Sequence, residues 1–151
     1  MNFLDIKAGE SIEIGTQEAY RFWRYAFPPF SGPVRLLSWV SDKRWYPHQV
    51  VEGTSPDVGE QGIHGYKTMD DLMWSIRGDP EVLVGRSQMS GCDGVVLGIV
   101  AMWGIIWDHA RGYRAQFARP LSFLSSHGNR SEPALTELRA AFSAPPSLRA
   151  D

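Results

Sequence analysis

The chain has 151 residues, a length typical of one folded domain that buries a sizeable core without disulfide support. Hydrophobic residues make up 43% of the sequence and charged residues 21%, which excludes a chain that is disordered throughout. The net charge of −2 argues against a general binder of nucleic acid or anionic membrane, because such proteins usually carry an excess of basic residues.

Several features favour a cytoplasmic protein with no membrane association. The single cysteine, Cys92, cannot form an intramolecular disulfide or supply two ligands to a metal. None of the four histidines forms an i, i+4 pair, so the sequence predicts neither a metal site nor a cofactor. The first residues lack the basic and apolar regions of a signal peptide. The longest apolar run, residues 94–107, is shorter than the roughly 20 residues of a membrane-spanning helix.

The first half of the chain predicts short β-strands separated by turns. The predicted strands are residues 11–14, 19–25, 34–40 and 44–51, the last of them broken at Pro47. A stretch rich in Gly, Ser, Pro and Asp then predicts the longest internal loop, residues 52–65. Thr68 is a predicted N-cap for a short helix over residues 69–77, because the apolar residues of that segment recur at helical spacing.

The second half predicts the central hairpin of the fold. Residues 81–87 are interpreted as a strand, and residues 94–107 and 113–119 as the two arms of the hairpin, with Pro120 ending the second arm. Ser131 is a plausible cap for a C-terminal helix over residues 132–142, which carries one apolar stripe.

Together these elements predict an α+β fold. We expect a mainly antiparallel, barrel-like sheet of about six strands, one short internal helix and one C-terminal helix. Residues 1–125 are expected to form a single mainly-β domain, and residues 126–151 a polar linker and an amphipathic helix. That helix either docks on its own domain or offers a contact to a partner.

The turn after the apolar run is the one catalytic candidate. It contains Asp108, His109, Arg111 and Arg114. His109 has the chemistry of a general base, Asp108 could orient it, and Arg111 or Arg114 could hold an anion. Adjacent strand residues point to opposite faces, so Asp108 and His109 can meet only within a turn. The alternative is a plain hairpin turn of polar residues in which Gly112 adopts a positive φ.

The segment before the internal helix is a candidate anion site. It contains His64, Gly65 and Lys67, whose backbone N–H groups and positive charge could face a phosphate or carboxylate at a helix N-terminus. Against this reading, Asp70 and Asp71 occupy the first helical turn, where they complement the helix dipole and repel an anion. The glycine spacing matches neither a Walker nor a dinucleotide-binding fingerprint.

Arginines alternate with aromatic residues in two predicted strands, and the binding candidates are Arg21, Trp23, Tyr113, Arg114 and Arg119. If the two strands are neighbours, this composition is suited to stacking bases and holding phosphates. The alternative is that the aromatic rings fill the core while the arginine stems cover the sheet edges.

Four segments form an ordered set of motifs. They are Ala-Tyr-Arg-Phe-Trp-Arg at residues 19–24, Gly-Ile-His-Gly-Tyr at 62–66, Val-Ala-Met-Trp-Gly at 100–104, and the run from Asp108 to Pro120. The set, above all its Trp-Gly … His-x-x-Gly-Tyr-Arg-Ala … Pro pattern, resembles a family of small proteins of actinobacteria and their bacteriophages that has no established activity. Family members carry cysteine in a Cys-Gly-Ile-Tyr-Ala patch where this chain has residues 64–68. No thiolate or zinc chemistry is therefore expected there.

Three classes of function follow from these observations. The leading hypothesis is a small binding or regulatory protein, related to bacteriophage proteins, that acts on a protein partner. The second is a nucleic-acid-binding protein that uses the arginine and aromatic side chains of the sheet. The third is a small enzyme with its site at the 108–114 turn.

Overall fold

The computed structural model describes residues 11–39, 41–53 and 62–143. The elements in chain order are β1 (Ser11–Ala26), β2 (Arg35–Leu37), β3 (Arg44–Trp45), β4 (Val51–Glu52), β5 (Ile63–Tyr66), α1 (Met69–Ser75), α2 (Pro80–Met89), β6 (Gly94–Asp108), β7 (Gly112–Gly128) and α3 (Ser131–Ser143). The predicted α+β class with a mainly antiparallel sheet is confirmed.

Three long strands form the centre of the sheet. β6 pairs with β1 on one side, from Tyr25 opposite Gly94 to Ser11 opposite Asp108, and with β7 on the other. The short strand β5 pairs with β7 over four residues and meets β1 where Tyr66 lies opposite Tyr20. The pairings β1–β6–β7–β5–β1 therefore form a closed circuit. β2 pairs with the C-terminal end of β1, β3 pairs with β2, and β4 pairs with β7.

Alternation along β1 separates two hydrophobic clusters. Ala19, Trp23 and Tyr25 point into the larger cluster, which also holds buried residues of β6, β7 and α3. Tyr20 and Phe22 point into the second cluster, which is covered by α1 and α2. Successive residues of a strand face opposite sides of a sheet, so β1 is packed on both faces.

The strand predicted at residues 81–87 is wrong, because this segment is helix α2. The Asp79 side chain accepts a hydrogen bond from the Glu81 N–H at 3.0 Å, and Pro80 stands at the first helical position. The valines of the segment are typical of a strand, but this cap and proline favour a helix. The described residues therefore contain two internal helices, α1 and α2, where one was expected.

Two further predictions in the central hairpin are wrong. β7 continues through Pro120 to Gly128, because a register shift between Ile99 and Val100 places the proline at a β-bulge, where a missing N–H is tolerated. Gly112 does not adopt a positive φ. Glycine is needed there for space, since a Cβ would collide with the carbonyl oxygen of Gly65 in β5.

The loop predicted over residues 52–65 is also partly wrong. Ile63–Tyr66 forms β5, so His64 and Gly65 belong to the sheet. The predicted helix start is confirmed, because the Thr68 hydroxyl accepts a hydrogen bond from the Asp71 N–H at 3.0 Å. The separate strands predicted at 11–14 and 19–25 are one continuous strand.

The C-terminal helix docks on the sheet. Ala134 and Leu138 are buried in the larger cluster, and the Arg139 Nε donates to the Phe123 carbonyl oxygen at 2.9 Å. The predicted boundary after residue 125 falls inside β7. None of the helices in the described part of the chain is long and apolar enough to cross a membrane.

Candidate functional site

The turn at residues 108–114 closes the β6–β7 hairpin. The His109 N–H donates to the Gly112 carbonyl oxygen at 2.8 Å. The Asp108 carboxylate forms an ion pair with Lys67. The Nε2 atom of His109 accepts a hydrogen bond from the Arg114 Nε at 2.9 Å. The lone pair that a general base would offer at Nε2 is therefore already used, and Asp108 is paired with a lysine.

The two candidate sites of the sequence lie side by side. His64 and Gly65 pair in register with Arg114 and Tyr113, so the segment before α1 lies against the 108–114 turn. Both line a cavity of about 220 Å³, together with Tyr66, His109, Arg111 and Gly112. Sequence reasoning named these residues but could not show that they are adjacent.

The charges around this small cavity are already engaged. Lys67 pairs with Asp108, and its Nζ lies 5.2 Å from the centroid of the Tyr113 ring. The Arg111 guanidinium carbon lies 3.8 Å from the centroid of the Trp74 ring. The backbone N–H of Lys67, before α1, donates to the carbonyl oxygen of Arg111, in the turn, at 2.9 Å. The surroundings resemble a packed junction more than a vacant anion site.

The arginine and aromatic candidates do not form one exposed stripe. β1 and β7 do not pair with each other, because β6 lies between them on one side and β5 on the other, so Arg21 and Trp23 are not on a strand next to Arg114 and Arg119. Trp23 is 0% exposed and Arg114 is 1% exposed, with the Arg114 guanidinium carbon 4.4 Å from the centroid of the Trp107 ring. Neither side chain presents a face on which a base could stack.

A larger cavity of about 670 Å³ lies where the pairing of β1 changes partner. β1 is paired with β5 at Tyr20 and with β2 from Arg24 onward, so the sheet divides beside residues 21–23. We call this space the aromatic cavity, because four aromatic side chains line it: Phe22, Trp39, Trp45 and Tyr66. Its volume is in the range of small-molecule sites, about 300–1,000 Å³.

The aromatic rings of the cavity hold one another in place. The centroids of Phe22 and Trp39 are 5.0 Å apart in an edge-to-face arrangement. Phe22 and Tyr66 stack with an interplanar angle of 20° and a centroid distance of 6.2 Å. The Trp45 indole N–H donates to the Ser38 hydroxyl at 2.8 Å. Such contacts fix ring orientations before any ligand arrives.

Arg21 is a cation at the wall of this cavity. Its guanidinium carbon lies 4.9 Å from the centroid of the Trp45 ring and 5.9 Å from that of Trp23. Its Nη1 donates to the His64 carbonyl oxygen, whereas its Nε is buried without a hydrogen-bond partner. Burial lowers the pKa of Arg21 to about 10, an effect that Tyr66 partly offsets. Arg21 therefore remains charged at neutral pH.

Sequence reasoning named Arg21 but missed its partners. Trp39 and Trp45 lie on either side of the Ser41-Asp42-Lys43 turn, and both line the cavity. β3 carries Trp45 and pairs with β2, which pairs with β1, and this brings Trp45 to Arg21. Two tryptophans on either side of a polar turn are a usable signal. It does not reveal which arginine they would meet.

The chain matches no protein-family model, no curated protein and no solved structure. The resemblance to actinobacterial and bacteriophage proteins therefore stays a prediction. The functional argument depends on the geometry of the cavities and their charges.

Proposed function

We propose that this chain is a non-catalytic binding protein whose recognition site is the aromatic cavity. The observation that carries the proposal is a space of about 670 Å³ lined by four aromatic rings, in which Trp39 and Tyr66 both pack against Phe22. Ring-lined concave sites of this size bind planar organic groups, because stacking and apolar burial act together. The occupant we propose is a planar ligand of small-molecule size.

The state of the 108–114 turn supports binding over catalysis. A general base needs a free lone pair within reach of its substrate. His109 accepts at Nε2 from a permanently charged arginine, and Asp108 is held by Lys67. A substrate would have to break both contacts before the two side chains could act together.

The cavity also fits our proposal that the sheet closes in a barrel-like way. Four strands pair in a circuit, and the link between β5 and β1 is a single register pair, Tyr20 with Tyr66. The aromatic cavity lies directly beside this link. A ligand seated there would bridge the place where the circuit is held by the fewest pairings.

The proposal is tested by titrating the protein with a panel of planar aromatic fragments, charged and neutral, while recording the indole N–H resonances of the tryptophans by NMR. Fragments that bind should shift the resonances of Trp39 and Trp45. The resonance of Trp74, which does not line the cavity and is 65% exposed, should stay in place.

Two matched variants serve as controls for this titration. Trp39→Leu should weaken fragment binding by at least about tenfold, as expected for a central aromatic contact. Trp74→Leu should leave the affinity unchanged. Shifts spread over all six tryptophans, or no shift with any fragment, would reject the aromatic cavity as a binding site.

A second candidate function is binding of a protein partner at the surface of α1. The observation that favours it is Trp74, which is 65% exposed although the Arg111 guanidinium stacks on it. Tryptophan and arginine are the residues most enriched at the energetic centres of interfaces. The test is a pull-down from a nuclease-treated cell lysate. A stoichiometric protein that wild type retains and Trp74→Ala loses would support this function. Met89→Ala, which changes another exposed side chain, should still retain the partner.

A further inference from the structure

We propose that the ligand of the aromatic cavity carries a carboxylate and that Arg21 pairs with it. This inference depends on the proposed function, since it assigns a chemical class to the ligand of the same cavity. The starting point is the positive charge of Arg21 and the described residues around it. Among the residues that the structure describes, no carboxylate lies within ion-pair distance of Arg21.

The free edge of the guanidinium suits a carboxylate. Nη1 is used by the His64 carbonyl oxygen, while neither Nε nor Nη2 donates to any described residue. Nε and Nη2 form one side of the planar guanidinium, with two parallel N–H groups. Because Nε is buried, Nη2 is the donor that an oxygen of a carboxylate in the cavity can reach, at about 2.7–2.9 Å.

The surroundings strengthen such a pair. Trp45 and Trp23 lie against the guanidinium, and the Nε atom is shielded from water. An ion pair is weakened by water and salt at an open surface, and much less where water is excluded. A partly buried arginine without a described counter-ion is costly, so an anionic ligand would offset part of that cost.

The aromatic rings define the rest of the ligand. Phe22, Trp39 and Tyr66 line the same cavity as Arg21, so we propose that the acidic group is attached directly to a planar ring system. Naphthalene-2-carboxylate and naphthalene-2-carboxamide are matched probes, since they have the same shape and differ in charge. Binding of each probe is measured by calorimetry to wild type and to three variants.

Wild type should bind the carboxylate at least about tenfold more tightly than the carboxamide, which is the effect of a charge-assisted pair. Arg21→Met should abolish this preference. Arg21→Lys should keep part of this preference, because lysine supplies the charge but not the planar set of N–H donors of a guanidinium. Arg86→Met removes an exposed arginine of α2 and should bind as wild type does.

Equal affinity of wild type for the two probes, or a preference that survives in Arg21→Met, would overturn the inference and leave the proposed binding function standing. Failure of both probes to bind folded wild type would overturn both.

Discussion

Arg21 and Arg24 lie three residues apart on β1, and their guanidinium groups have opposite surroundings. Arg24 is 6% exposed and donates to the Ser38 carbonyl at 2.9 Å, the Ser90 hydroxyl at 3.0 Å and the Ser41 carbonyl at 2.6 Å. It also forms a 3.3 Å ion pair with Asp42. Arg21 makes one hydrogen bond and otherwise faces aromatic rings.

The difference separates a structural arginine from a recognition arginine. Arg24 joins three segments, because its partners lie in the stretch after β2 and at the C-terminal end of α2. Its donors are used within the fold. Arg21 has the same charge on the other face of the same strand, but the fold leaves one edge of its guanidinium unused. The contacts of the described residues explain why an arginine is present at position 24, but they do not explain the arginine at position 21.

The largest effect is expected from Arg24→Met. The change leaves the buried Ser38 carbonyl without a partner and removes the link between β1 and α2. We expect a loss of about 2–4 kcal/mol in the free energy of unfolding, measured by urea denaturation. Arg86→Met should change stability by less than about 0.5 kcal/mol. A loss as small as that in Arg24→Met would show that Arg24 does not clamp these segments.

Arg21→Met should have a smaller effect of the opposite sign. Methionine removes a desolvated cation with one hydrogen bond and still fills the space beside Trp45. We expect the free energy of unfolding to stay constant or to rise by up to about 1 kcal/mol in the same urea experiment. A loss comparable to that of Arg24→Met would mean that Arg21 is structural, and the comparison between the two arginines would fail.

Much of the fold could be predicted because its signals are local. The hairpin of β6 and β7 follows from a long apolar run, a polar turn and a second aromatic strand. The start of α1 follows from Thr68 and Asp71. The sequence predicts a strand in place of helix α2, because Val82 and Val84 are typical of strands. It predicts a strand end at Pro120, because a bulge depends on the partner strand.

The site was less predictable than the fold. Arg21 and Arg24 both alternate with aromatic residues, and nothing in the sequence distinguishes them. What distinguishes them is the tertiary position of their partners. Trp45 reaches Arg21, and Ser38 and Ser90 reach Arg24, only once β2, β3 and α2 are in place. The placement of β5 and β6 between the strands of Arg21 and Arg114 likewise depends on strand order.

Alkaline titration should sharpen the contrast, because burial acts oppositely on Arg21 and on Tyr25. Burial raises the pKa of Tyr25 to about 12, with Asp93 adding to the shift. Between pH 10 and 12 folded Tyr25 keeps a proton that the unfolded chain loses, so this group lowers stability as the pH rises. The pKa of Arg21 is lowered to about 10 from 12.5, so over the same interval the unfolded chain binds more protons and Arg21 raises stability.

The two contributions are separated by urea denaturation of wild type, Tyr25→Phe and Arg21→Met between pH 9 and about 11.5, a range that begins below the interval in which both groups change charge and covers most of it. Tyr25→Phe should lose less stability than wild type as the pH rises. Arg21→Met should lose more. Identical pH dependence in all three proteins would show that burial does not act on these two groups as their positions imply.

The smallest effect is expected from Asp108→Asn, which removes the partly exposed ion pair between Asp108 and Lys67. The Lys67 and Asp108 side chains are each 28% exposed, so water and salt weaken their attraction. We expect a loss of about 0.5 kcal/mol at low salt that disappears near 1 M NaCl, whereas the loss in Arg24→Met should persist. A loss in Asp108→Asn that exceeds about 2 kcal/mol, or that salt does not reduce, would place this pair with Arg24 among the buried contacts of the fold. The turn at residues 108–114 would then stabilise the fold as Arg24 does. Arg21 would differ more clearly from the other charged residues that the structure describes, because its charge would not add to stability.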